Sequence, residues 1–251
     1  MKELIKKVKE KKQFSLIQDS IIEKSLIISK GDVKESRALL RKYFGLFLTN
    51  KVLKPKDILD WKTILKSHKS SSKRDYEKLY QNIFSDKETF QSIIDLGCGV
   101  NGFSIKELKN FVNADYIGVE AMGQVVDLTN LFFNKFCKGY NAHAVWLDLF
   151  QLDKIKEVIQ NSKEPRAIFM FQVIDALESF NKNFSKEFLK GISQVLSKED
   201  LFVLSFSTKS LSGKKSFDVK RKWITDFLRE NFKIEKDFEV FDERFILFRK
   251  K

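Results

Sequence analysis

Two cysteines in 251 residues, Cys98 and Cys137, are too few for a disulfide framework. Only His68 and His143 could join them, so no structural-metal ligand set is legible and none is expected. This scarcity fits a reducing compartment, and the expected location is the cytoplasm. Long apolar runs are missing as well. No stretch of about 18 uncharged apolar residues occurs, and the opening Met1-Lys2-Glu3-Leu4-Ile5-Lys6-Lys7 lacks a signal-peptide core. No membrane partner is expected.

What is present is a core-forming supply of hydrophobic residues, 43% of the chain with 25 Phe among them, and a formal charge of +13. The charge is uneven. Residues 1–90 carry 22 Lys and Arg against 12 Asp and Glu, whereas residues 91–251 carry 25 against 22. A basic front segment on a nearly neutral remainder suggests a polyanion partner, and nucleic acid fits better than membrane because no apolar anchor accompanies it. A lysine-rich solvated surface is the alternative.

The front segment reads as helical. Leu4, Ile5 and Val8 open a short basic helix. Phe14, Ile17, Ile21, Ile22 and Leu26 mark a second, and Asp32 caps a third that carries Ala38, Leu39, Tyr43, Leu46 and Phe47. Pro55 marks a turn before a fourth with Ile58, Trp61, Ile64 and Leu65. The apolar faces are expected to pack on one another. Residues 1–66 thus form a basic helical subdomain. Residues 67–90 connect it, through the polar His68-Lys69-Ser70-Ser71-Ser72-Lys73-Arg74 and a helix with Tyr76, Leu79, Tyr80, Ile83 and Phe84, to a domain spanning 91–251. By composition the polar stretch is a linker; functionally, it can cross a ligand site with Lys73 or Arg74 near a carboxylate or phosphate.

That domain opens on Ser92-Ile93-Ile94-Asp95-Leu96-Gly97-Cys98-Gly99-Val100-Asn101-Gly102, a strand entering a glycine-rich turn. The spacing Gly97-x-Gly99-x-x-Gly102 also matches the dinucleotide fingerprint, so the glycines do not identify the ligand. Asp95 discriminates. A carboxylate before the first glycine repels a pyrophosphate but pairs with the ammonium of S-adenosylmethionine. Downstream, strands at 116–120, 142–147, 167–173 and 201–206 alternate with helices at 103–111, 125–136, 155–159 and 184–196. After a helix at 223–232, two strands at 238–241 and 244–248 flank a tight acidic turn. The expected fold class is α/β: a doubly wound, mainly parallel, seven-stranded methyltransferase (Rossmann-like) sheet with an antiparallel C-terminal hairpin, preceded by the helical subdomain.

Ligands of such sheets lie beyond the carboxyl ends of the strands. The second strand ends in Glu120, suited to ribose hydroxyls in either cofactor family, and the third in Asp148-Leu149, suited to an exocyclic amine and a purine ring. Asp95, Glu120 and Asp148 as a set favour S-adenosylmethionine over a dinucleotide. The fourth strand ends Phe171-Gln172-Val173-Ile174-Asp175 and lacks the Asn-Pro-Pro-Tyr motif of exocyclic-amine methylation. No cysteine is placed to act as a nucleophile on a pyrimidine either. An acceptor that is already nucleophilic, such as guanine N7, fits. The fifth strand leads to Ser205-Phe206-Ser207-Thr208-Lys209-Ser210-Leu211-Ser212-Gly213-Lys214-Lys215, whose Lys209, Lys214 and Lys215 suit phosphates and whose Phe206 suits base stacking. Phe206 and Gln172 are the acceptor-side candidates. Phe103 is a second stacking candidate, with plain core packing at least as good a reading.

Ser-Phe-x-x-Lys-Ser-Leu-Ser-Gly-Lys, Trp223, Asp242-Glu243, the segment His68 to Arg74 and Leu96 to Asn101 together resemble the aminoglycoside-resistance methyltransferases that modify guanine N7 at the decoding site of 16S rRNA. The similarity runs over about residues 67–248, while the first helices match no motif. It implies an S-adenosylmethionine-dependent enzyme acting on the small ribosomal subunit, with an rRNA-binding N-terminal subdomain; a monomer is expected. Carried over by position, it puts Gly97, Glu120, Asp148 and Leu149 on the cofactor, beside Asp95 and Gly99 of the turn, with Lys73 or Arg74 near the cofactor carboxylate. Three departures stand out: Gly102 and Ser207 where the family has Pro, and Gln172 where it has Lys. The alternatives are a methyltransferase for another RNA or a small molecule, or a non-catalytic RNA-binding relative.

Overall fold

The computed structural model describes residues 1–44, 61–68, 71–84, 89–108, 113–209 and 221–251. A seven-stranded sheet organises them: β1 (Ser92–Leu96), β2 (Asp115–Glu120), β3 (Ala142–Trp146), β4 (Arg166–Phe171), β5 (Leu201–Ser207), β6 (Phe232–Val240) and β7 (Glu243–Lys250). The order is β3-β2-β1-β4-β5-β7-β6. Strands β1 to β5 pair parallel, and β7 runs antiparallel to both β5 and β6. This is the expected sheet, and the order reverses between β1 and β4, where such folds bind ligands.

The central strands are continuous apolar runs because both of their faces are covered. Their pleat divides the core: Ile93, Phe169, Val203 and Phe245 face one layer, while Ile94, Ile168, Phe202 and Ile246 face the other. At the edge, β6 reads FKIEKDFEV, with its lysines and acids exposed or half-buried and an irregularity at Ile234/Lys236, features that discourage pairing with another chain.

The N-terminal helices are α1 (Lys2–Lys9), α2 (Asp19–Ile28) and α3 (Val33–Phe44), with Phe14 in a short 3-10 helix. Asp32 caps α3 through the Glu35 N–H at 2.9 Å. Val8, Phe14, Ile17, Ile21, Ile22, Leu26 and Leu40 do share one core, which also takes in Met122, Val125 and Phe180 from the sheet domain. In α4 (Trp61–Ser67), Ile64 and Leu65 join the layer beneath the sheet, beside Leu79 and Tyr80 of α5 (Tyr76–Ile83). Pro55 and Ile58 lie outside the described residues, as do Leu46 and Phe47.

The sheet's covering helices are α6 (Gly123–Phe136), α7 (Leu152–Gln160), α8 (Ile174–Phe180), α9 (Phe184–Ser193) and α10 (Lys222–Asn231). Helix α8 follows β4 directly and escaped the sequence pattern because it is only seven residues long. The expected helix from Phe103 is instead a 3-10 helix, Asn101–Glu107. Crowding shapes this corner. A Cβ on Gly102 would lie 2.9 Å from Thr129 Cγ2 and 3.1 Å from Phe133 Cζ, so a larger residue requires those side chains of α6 to shift.

Candidate active site

A cavity of about 880 Å³ opens at the carboxyl ends of β1 to β5. Gly97, Gly99, Glu120, Asp148, Leu149, Arg74, Gln172 and Lys209 all line it. Asp95, Lys73 and Phe206 do not.

The glycine turn holds its shape by using its own N–H groups. Gly97 and Cys98 donate to Val119 O at 2.8 and 3.0 Å, and Gly99 donates to Glu120 Oε2 at 2.9 Å. Asn101 donates to Cys98 O at 2.8 Å. The turn is thus closed on its own backbone. Gly97 adopts φ +71°, and a Cβ there would press within 2.8 Å of Val173. Only glycine leaves this floor open.

Glu120 accepts the Gly99 and Met122 N–H groups, one on each oxygen, both at 2.9 Å. Burial nevertheless raises its pKa. Asp148 accepts from Phe150 N at 2.8 Å on Oδ1; on Oδ2 it accepts from Gln151 Nε2 at 2.7 Å and from the Ser20 hydroxyl. Both acids are thus fixed in orientation with acceptor capacity left over, since a carboxylate takes about four hydrogen bonds.

Asp95 sits behind this wall, 1% exposed. Its Oδ2 accepts from Asn101 Nδ2 and from the Tyr116 hydroxyl, each at 2.7 Å, while Oδ1 has no partner. Burial pushes its pKa up to about 6 despite those two bonds and the nearby Arg74. Of its two partners, Asn101 lines the cavity.

Arg74 forms the opposite wall. Its guanidinium donates to both oxygens of Glu243 at 2.8 Å, with side-chain exposures of 4% and 1%, and lies over the Phe171 ring at 5.1 Å. Burial opposes its charge, but Glu243 and Tyr76 outweigh it and hold the pKa above the ordinary value. His68, also on the wall, is lowered to about 4 by burial and by Arg74, and stands neutral at pH 7. Lys73 turns outward instead: its ammonium is 2.5 Å from Asp242 Oδ2, and Lys209 holds Oδ1 at the same distance. The two lysines keep the Asp242 pKa down, to about 2.

The remaining wall carries Gln172, Asp175 and Arg221, of which local patterns did not flag Arg221. Asp175 and Arg221 form a two-pronged pair at 2.6 and 2.5 Å. Asp175 follows a strand end and was legible there as an acid, whereas nothing in its neighbourhood distinguishes Arg221. Gln172 takes φ +57°, a left-handed conformation that side chains resist. Phe206 is a correction: it is 2% exposed, packed in the core with Arg221 at 4.9 Å from its ring centre. Strand alternation sends it away from Ser205 and Ser207 on either side, so it cannot stack on a base in the cavity. Phe103 is likewise buried, 4.8 Å from Phe132. Lys214 and Lys215 lie outside the described residues.

A parallel α/β sheet closed by an antiparallel terminal pair, with this cavity over its switch point, is the methyltransferase fold. Particular structures share it across the whole chain. The 16S rRNA methylase RmtF, in complex with S-adenosyl-L-homocysteine, has TM-score 0.75 at 17% identity, covering 100% of this chain and 98% of that one. An rRNA methylase from Escherichia coli has TM-score 0.74 at 19% identity, covering 100% and 99%. The 16S rRNA methylase RmtB has TM-score 0.71 at 18% identity, covering 100% and 98%. No family model and no curated protein matches the sequence. Among the described residues, no helix is long and apolar enough to cross a membrane.

Proposed function

We propose that this chain is an S-adenosylmethionine-dependent methyltransferase that modifies guanine N7 in the decoding site of 16S rRNA within the small ribosomal subunit. The carrying observation is one cavity with Glu120 and Asp148 on one wall and the Arg74 guanidinium on another. That donor and acceptor set matches the cofactor from end to end. Arg74 takes the amino-acid carboxylate, Glu120 the ribose hydroxyls, Asp148 the exocyclic amine, and Leu149 covers the purine. Gly97 leaves the room that a Cβ would fill. The partnerless Asp95 oxygen adds negative potential behind the turn, which suits a cationic ligand and opposes a pyrophosphate.

Bound S-adenosylmethionine supplies an electrophilic methyl group. Guanine N7 presents a lone pair, so no residue need remove a proton before transfer. The chain's task is then to orient two reactants and exclude water. Gln172, held at φ +57° on the cavity wall, positions the acceptor from the end of β4, with Asp175 and Arg221 beside it. A paired guanine must first leave its stack. The basic segment 1–66 and Lys209, Lys214 and Lys215 bind the rRNA, and the enzyme works as a cytoplasmic monomer.

Calorimetry with S-adenosylmethionine tests the cofactor assignment. Incubation of methyl-labelled cofactor with isolated small subunits, followed by mapping of the labelled base, tests the target. Label at guanine N7 in the decoding site is expected; label only on protein-free RNA or small molecules would defeat the ribosomal assignment.

A further inference from the structure

The cofactor pocket is not built from the sheet domain alone. Of the three donors on Asp148, Phe150 and Gln151 are local, but the third, the Ser20 hydroxyl, comes from α2, 128 residues earlier. The next residue, Ile21, lines the same cavity. The approach to α2 is tied to the ends of the neighbouring strands β2 and β3. Gln18 donates its side-chain amide to Trp146 O at 2.8 Å and its N–H to Ala121 O at 3.3 Å, while Gly123 donates to Leu16 O at 2.7 Å. Ile17 bridges Met122. These ties lie one to three residues from Glu120 and Asp148, two of the acids that line the cavity.

We propose that α2 is a wall of the cofactor pocket and that Ser20 is a positioning residue that aims Asp148 at the purine. The inference rests on the reading of this pocket as a nucleoside site. A carboxylate bonded only to Phe150 and Gln151 can swing about its own loop, because both partners move with it. The Ser20 hydroxyl anchors it to a separate element, and orientation is what recognition of an exocyclic amine requires. Reciprocity follows: ligand bound to Asp148 tightens α2, since binding couples the groups it bridges.

Calorimetry with S-adenosylhomocysteine, and with an analogue whose purine lacks the exocyclic amine, tests this in the full chain. Ser20→Ala is expected to weaken S-adenosylhomocysteine about tenfold, the scale of one hydrogen bond to a charged group, and to leave the amine-free analogue unchanged. Ser20→Thr, which keeps the hydroxyl, restores binding. In the unaltered protein, S-adenosylhomocysteine slows amide exchange across residues 19–28, a readout that needs no variant to fold. Equal affinity of Ser20→Ala and wild type for S-adenosylhomocysteine would overturn the inference. So would equal losses for both ligands, or unchanged exchange in α2. Failure of the wild type to bind either nucleoside would instead remove the cofactor reading on which it stands.

Discussion

The two sides of the cavity are built on different principles. Around the glycine turn and the facing Arg74 wall, Asp95, Asn101, Arg74, Glu243, Glu120 and Asp148 are buried or nearly so, held by backbone N–H groups, by neighbouring side chains or by a single fixed counter-ion. On the other side, Asp242 is shared by two exposed lysines, Asp175 is open to solvent against Arg221, and Gln172 sits in a strained backbone conformation. Buried pairs are rigid because separating them strands a charge. Exposed pairs exchange readily, since water and salt replace either partner at little cost. A pocket with one side preorganised for a small ligand and the other made of exchangeable charges suits a large polyanion that arrives and leaves.

The sharpest test of that contrast is Glu243→Ala. It strands the Arg74 charge inside the protein, and the expected loss is about 3–5 kcal/mol of stability. For a chain of this size that lowers the melting temperature by roughly 6–20 °C. Replacing both partners, Arg74→Met with Glu243→Leu, recovers most of the stability but not cofactor affinity. A single variant that melts with the wild type would show that the pair is not the anchor described.

Asp95 comes next. Its carboxyl titrates near 3.8 when unfolded and at about 6 in the folded chain. Between those values the folded state binds more protons than the unfolded one, so stability falls as pH rises through that window. Asp95→Asn is expected to abolish the fall and to exceed the wild type at pH 7 by about 1–3 kcal/mol, while cofactor affinity declines. Urea unfolding at pH 4, 5, 6 and 7 measures both slopes; parallel curves would refute it.

Gln172→Gly relaxes the left-handed backbone and is expected to raise stability by up to about 1 kcal/mol while slowing methyl transfer. If turnover is unaffected, the strain has no role in the acceptor side. The smallest effect on the fold belongs to Lys209→Glu, which leaves the melting temperature and cofactor affinity unchanged and lowers the salt dependence of RNA binding by about one unit of slope. Reversing Lys209, Lys214 and Lys215 together should deepen the RNA defect with the cofactor still bound at wild-type strength. A parallel loss of both ligands would erase the distinction between the two sides.

Much of the cavity wall was legible in the sequence because it follows strand ends. Glu120, Asp148 and Leu149 lie where an apolar run stops, and the parallel topology brings such ends together. The hairpin was legible for a similar reason, with two strand patterns flanking an acidic turn. Elsewhere local pattern misled. Phe206 was a stacking candidate because it lies in a hydroxyl- and lysine-rich stretch, yet the pleat turns it into the core. Asp95 read as a direct ligand, but it is buried off the cavity lining and bonded to Asn101, which is on it. The helix expected after the turn is a 3-10 helix instead, and the crowding by Thr129 and Phe133 that leaves no room for a Cβ at Gly102 comes from another helix.

By itself, then, the sequence determined the alternation of elements, the order in which acids meet strand ends and the basic bias of the first 90 residues, since each is set by side-chain period and composition along the chain. Only the tertiary structure decided which charges are paired. Arg74 meets Glu243 across 169 residues of sequence and Ser20 meets Asp148 across 128. Such partners are chosen by the packing of the sheet and its helices, and no periodicity of a single segment carries that information.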